Sequence, residues 1–239
     1  GKNSEKISLS MVYTPPFSER RIQRILDLWN EYKWIPLHIP VNITYPLSSP
    51  EVDKSFYKQK IDMDSSLWKF IRNKFMKDYK KNEKSYPIAS HLIERDLAYL
   101  FKRPIYSKPE NKYHLNGCCI PGARKLFVEV NGTLRLCERI WDAPALGDVI
   151  NGIDIDSVRK NYVNEYAEKS LSMCSECWAL NLCKICYIHA FKNGRFDSYM
   201  KKMNCRIIRI GIEENLKLYC QLLEINENGL DYLSNYEIV

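Results

Sequence analysis

Apolar and polar residues alternate from Ile7 to Thr14 (ISLSMVYT), the period-two signature of a strand. Pro15 and Pro16 end it, and Ser18 is placed to cap a helix running to about Tyr32. Ile22, Ile25, Leu26 and Trp29 fall on one face of that helix. A second β-prone run follows from His38 to Tyr45 (HIPVNITY). Strand, helix, strand in this order predicts a βαβ unit whose helix crosses over a parallel sheet. Such a unit closes no sheet by itself, because parallel strands expect neighbours on both sides and cover on both faces. The expectation is that a larger sheet lies upstream in a parent protein or comes from another chain.

Residues 50–103 carry helical periodicity throughout. Leu67, Phe70, Ile71 and Phe75 form an apolar stripe behind an Asp64/Ser65 cap. Leu92, Ile93, Leu97, Leu100 and Phe101 form another after Pro87, and both stripes read as core. Pro104 to Asn116, rich in Pro, Lys and Asn, reads as a loop and domain boundary. Beyond it, Lys125–Val130 and Thr133–Leu136 flank Asn131-Gly132, the strongest short signal for a β-hairpin. Helices are expected over Ser157–Glu168 and Ile207–Glu224, with a further short one in Asn226–Val239. The pattern as a whole predicts an α+β fold.

Composition changes the picture at one point, the nine cysteines. No apolar run approaches the ~20 residues of a membrane span, and the polar first residues, Gly1 to Lys6, lack a signal-peptide core. A cytosolic location is expected, where thiols stay reduced and serve metals better than disulfides. Cys174-x2-Cys177 and Cys183-x2-Cys186 lie five residues apart, with Cys118, Cys119 and Cys137 before them and Cys205 after. Paired C-x2-C turns let thiolates converge on a soft metal. A zinc ribbon separates its pairs by a dozen or more residues so that two knuckles can face each other. Five residues is short for that, and iron–sulfur clusters accept more varied spacings. Spacing therefore tilts toward clusters and leaves zinc open. Cys220, beside Leu216, Tyr219 and Leu223 in a helical stretch, is expected to be a buried, inert thiol.

The formal charge is +7. Seven ligating thiolates and two cluster cores would lower it to about +4, which weakens any case for nucleic acid made from charge alone.

The run from Cys119 to Cys137 (CIPGARKLFVEVNGTLRLC), the array Cys174-x2-Cys177-x5-Cys183-x2-Cys186 and the distal Cys205 together resemble the SPASM extension of radical SAM enzymes. The likeness is greatest to maturases of cysteine-rich peptides. Leu146-Gly147-Asp148-Val149 stands where that family has L-G-[ND]-V, and V-Y-T-P-P-F at Val12–Phe17 is similar to a late barrel strand of the same maturases. One departure is the two-residue gap, Lys184 and Ile185, where three residues are usual in the family.

The resemblance implies the last βαβ portion of a partial (β/α) barrel at 1–50, a helical linker at 51–116, and a SPASM domain with a β-hairpin and C-terminal helices at 117–239. It implies two 4Fe–4S clusters. The first would use Cys119, Cys137 and Cys186, with an iron open to a substrate thiolate or completed by Cys118. The second would use Cys174, Cys177, Cys183 and Cys205. Glu138 and Arg139 would lie around the first cluster, or simply be surface charge. S-adenosylmethionine and its own cluster need C-x3-C-x2-C, which this sequence does not contain. They are expected only in a parent protein, and the chain alone is expected to be inactive. The implied partners are a cysteine-rich precursor peptide that acquires a thioether crosslink, the upstream barrel and an electron-donor protein. Membrane and nucleic acid are not among them. The competing expectation is a zinc-stabilised module binding nucleic acid or an acidic partner.

Overall fold

The computed structural model describes residues 9–12, 18–32, 34–35, 41–44, 68–83, 87–103, 119–123, 125–140 and 142–236. The fold is mixed α+β, and the chain divides into two compact units, 1–102 with 215–239, and 103–214.

In the first unit, β1 (Leu9–Val12) and β2 (Val41–Thr44) pair in parallel with Leu9 opposite Val41. Between them runs α1 (Glu19–Leu26), capped by Ser18, whose Oγ accepts the Arg21 N–H at 3.3 Å. A short α2 (Leu28–Glu31) follows. The predicted βαβ order is thus present, but among the described residues the sheet has two strands and no barrel forms. The periodicity predicts helix throughout 50–103. The described part instead holds two helices, α3 at 68–80 and α4 (Pro87–Phe101), with a break at Asn82 in the left-handed region (φ 56°). The expected cap at Asp64/Ser65 and the loop from Pro104 to Asn116 lie outside the described residues.

The core of this unit joins Ile22 and Leu26 of α1, Ile71 and Phe75 of α3, and Leu92, Ile93 and Leu97 of α4. It also takes Leu218, Leu222, Leu230 and Leu233 from the end of the chain. The resemblance groups 215–239 with the cysteines, whereas the apolar stripe of these residues packs here. Polar links follow the same grouping. Arg72 Nη2 donates to Asn215 Oδ1 and Asn215 Nδ2 to Asp96 Oδ2, each at 3.0 Å.

The second unit contains a four-stranded antiparallel sheet in the order β3 (Phe127–Val128), β4 (Thr133–Arg135), β5 (Gly147–Asp148), β6 (Gly152–Ile153). The Asn131-Gly132 hairpin forms with shorter strands than the sequence pattern predicts. Glu129 N donates to Thr133 O at 2.9 Å and Gly132 takes φ 85°, which makes a three-residue loop closed by a left-handed glycine. Arg135 grips both Glu129 carboxylate oxygens (3.1 and 3.3 Å) and the Ala143 carbonyl (2.6 Å), tying β4 to the loops around it.

A helix then runs from α5 (Ile155–Val158) through a π segment at Arg159–Glu165 into α6 (Tyr166–Cys174). Tyr162 and Tyr166 on it stack edge-on with Tyr187, their ring centroids 5.0 and 4.7 Å away, in a core with Leu134, Leu136, Ile140, Leu146 and Phe191. A second hairpin, β7 (Phe191–Lys192) and β8 (Arg195–Phe196), turns on Asn193 and Gly194, both at positive φ. The last helix, α7 (Ser198–Ile225), begins in this unit and ends in the other.

Candidate thiol sites

Eight cysteines fall in the described residues and all eight are thiols; Cys118 lies outside them. Local backbone geometry places the others. Cys174 ends α6, and Cys177 N donates back to Cys174 O at 3.1 Å, so the turn folds both sulfurs toward one side. A 3-10 turn at Leu180–Leu182 follows and delivers Cys183, whose N–H donates to Leu180 O at 3.3 Å. Cys183 (φ −73°, ψ 129°) and Cys186 (φ −98°, ψ 155°) both have β-region backbone.

The electrostatics of the thiols divide them into groups. Burial pushes the Cys183 thiol up, and Cys174 and Cys177 add to the rise, while the Ile185 N–H and Lys201 oppose it. Burial likewise raises Cys205, on α7, with Lys201 and Arg209 opposing and Cys183 and Cys174 adding. Cys183 thus neighbours Cys174, Cys177 and Cys205, and Cys205 also neighbours Cys174. Burial also raises Cys186, but its thiol neighbours are Cys119 and Cys137, and the N–H groups of Ile188 and Tyr187 face its sulfur. These three cysteines pack against the aromatic core of the second unit. Cys220 belongs to neither group. The expectation of a buried thiol there is wrong, since Cys220 is exposed. The buried face of α7 at this level is Leu218 and Leu222, and a residue halfway between them projects the other way.

Two buried polar groups lie beside the four-thiol set, and the sequence pattern does not single them out. Lys201 has no solvent-exposed surface. Its Nζ donates to Cys174 Sγ at 3.4 Å and sits 4.9 Å from the Tyr166 ring centroid. Ser170, one turn before Cys174 on α6, is equally buried, and its hydroxyl has no hydrogen-bond partner. The signal for both is register: each lies four residues before a cysteine on a helix, hence on the same face. Glu138 and Arg139, by contrast, are exposed. Glu138 pairs with Lys125 at 3.2 Å on the surface, where such a pair contributes little.

Among the described residues, no three His, Cys, Asp or Glu side chains converge closely enough to hold a single metal ion. A tetrahedral zinc with Zn–S bonds of about 2.3 Å would draw its thiolates to about 3.8 Å from one another. The chemistry of the donor set, soft thiols beside a buried ammonium and an unpaired hydroxyl, is compatible with a thiolate-bound anionic centre.

No protein-family model, no curated protein and no solved structure matches the chain. Among the described residues, no helix is long and apolar enough to cross a membrane.

Proposed function

We propose that this chain is the C-terminal part of a radical SAM maturase of ribosomally made cysteine-rich peptides, and that it carries two auxiliary 4Fe–4S clusters. Cys174, Cys177, Cys183 and Cys205 would hold one, and Cys119, Cys137 and Cys186 the other. What supports the reading is that Cys183 has Cys174, Cys177 and Cys205 for thiol neighbours while Cys186, only three positions on, has Cys119 and Cys137. A zinc module built from two C-x2-C knuckles would keep those two together.

The residues of the chain have distinct tasks under this reading. The four-cysteine group supplies a full thiolate set. The three-cysteine group leaves one ligand position for a thiolate of the substrate peptide or for Cys118. The Tyr187 and Ile188 N–H groups beside Cys186, and the Ile185 N–H beside Cys183, stabilise thiolates and would set reduction potentials. When bound, such clusters supply a soft Lewis-acidic site and one-electron capacity for thioether formation. The radical-generating C-x3-C-x2-C is absent from this sequence, so hydrogen abstraction from the peptide belongs to the parent protein in this proposal, as does S-adenosylmethionine binding. The setting would be cytoplasmic, with an electron-donor protein as further partner.

Anaerobic purification followed by an absorption spectrum and iron, sulfide and zinc analysis tests the reading. The expected result is a broad shoulder near ~400 nm with about eight irons and eight sulfides per chain. A colourless protein with one or two zinc ions, even after anaerobic reconstitution with iron and sulfide, would replace it with the zinc-stabilised binding module.

A further inference from the structure

We infer that Lys201 is a positioning residue for the four-cysteine site, a fixed buried cation that holds an anionic centre there and sets its reduction potential. The inference rests on the two-cluster reading above and deepens it at one site. It starts from a charge without a visible counterpart. A lysine ammonium is among the groups least tolerated in a protein interior unless a negative group faces it. Lys201 is fully buried, and among the described residues no carboxylate lies within ion-pair distance of it. Its Nζ meets the Cys174 sulfur at 3.4 Å and the face of Tyr166 at 4.9 Å, and it acts electrostatically on Cys183 and Cys205.

The backbone fixes the lysine in this place. Asp197 caps the start of α7, accepting the Met200 N–H at its Oδ1 (2.8 Å) and the Lys201 N–H at its carbonyl (3.1 Å). Lys201 then stands one helical turn before Cys205, on the same face. The tyrosine supplies a quadrupole that suits a cation, but a neutral ring and neutral thiols leave the full positive charge unbalanced. Four thiolates around a 4Fe–4S core carry net negative charge, and one-electron reduction adds one more. A cation held at the ligand sulfur favours the reduced state over the oxidised one, and so raises the potential. Lys201 acts on Cys183 and Cys205 but is not among the groups named as acting on Cys186, so its effect should fall on the four-cysteine site.

The wild-type chain, Lys201→Met and Lys201→Arg, purified anaerobically, provide the test. Iron and sulfide are counted, and each centre is followed by paramagnetic resonance through a redox titration. Lys201→Met should keep about eight irons while one centre becomes harder to reduce. Its reduced-to-oxidised ratio, at the potential where wild type is half reduced, should fall about tenfold, equivalent to ~59 mV for one electron. The other centre should not move, and Lys201→Arg should restore the first. Loss of about four irons in Lys201→Met with retention in Lys201→Arg would also support a charge requirement. Equal iron and equal potentials in Lys201→Met and wild type would overturn the inference and leave the two clusters standing. So would loss of the same irons in both variants, which would mark Lys201 as packing alone. Wild type without iron would remove the two-cluster reading itself.

Discussion

Cys183 and Cys186 look like one knuckle by spacing, yet their thiol neighbours differ: Cys174, Cys177 and Cys205 for Cys183, Cys119 and Cys137 for Cys186. Replacing each by alanine should therefore remove different centres. Cys183→Ala should lose about four irons together with the signal of the four-cysteine site, and Cys186→Ala about four with the other signal. Cys220→Ala should lose none, because that thiol is exposed and apart from both groups. Iron counting with paramagnetic resonance on the three variants checks this. Identical losses from Cys183→Ala and Cys186→Ala would mean that the two act together after all. The sequence shows the cysteines and their spacing plainly. Lys201 and Ser170 carry only a register signal, four residues before Cys205 and Cys174; composition does not separate a buried lysine from the many solvated ones, and it is their burial that singles them out. Cys220 was misleading for a related reason, since apolar sequence neighbours say little until the helix phase is fixed by Leu218 and Leu222.

Among the elements, the small sheet of the second unit depends most on single residues. Leu146-Gly147-Asp148-Val149 has a physical logic visible in the structure. Leu146 is fully buried, and Asp148 Oδ1 accepts the Ile150 and Asn151 N–H groups, each at 2.8 Å. Hydrogen bonds from the Asn151 side chain and backbone, then from Ile150, hold the Asp148 carboxyl below its usual range. Gly147 stands at φ +143°, and a Cβ there would lie 2.0 Å from the Gly152 carbonyl oxygen. Backbone cannot retreat as a side chain can, so Gly147→Ala should cost at least ~3 kcal/mol in the second unit. Gly152→Ala is the matched control. Gly152 also has positive φ (+79°), but nothing lies within 4 Å of its added Cβ, so it should cost only about 1–2 kcal/mol. Denaturant unfolding of the two variants measures the difference, and equal losses would show that the close approach is not what matters. The hairpins also show what a dipeptide can and cannot tell. Asn131-Gly132 closes a three-residue loop with one left-handed residue, whereas Asn193-Gly194 makes the two-residue turn with both residues left-handed. The second hairpin carries the same dipeptide but only two-residue strands, too short for alternation to mark them.

For the molecule as a whole, the useful division is between a core without cysteine and a smaller aromatic core that packs against three cysteines. The first unit buries leucines and isoleucines from four helices and the chain's last residues, and none of the seven grouped cysteines belongs to it. Its outline is legible from periodicity, except for the long-range return of residues 215–239, which no local pattern announces. The second unit packs Cys119, Cys137 and Cys186 directly against a smaller aromatic core, and its strands are two or three residues long. Short strands and a small core contribute little stability, so under the proposed two-cluster reading metal–thiolate bonds supply much of what holds this unit. Anaerobic removal of iron with a chelator should therefore act unequally along the chain. Amide hydrogen exchange, read by mass spectrometry before and after chelation, should quicken by several orders of magnitude across 119–140 and 174–205. It should change little in α4 and in residues 218–233. Uniform loss of protection would make the chain one cooperative unit. Unchanged protection around the cysteines would mean that their arrangement stands without metal, and the weight would then shift from metal to the aromatic core of Tyr162, Tyr166 and Tyr187.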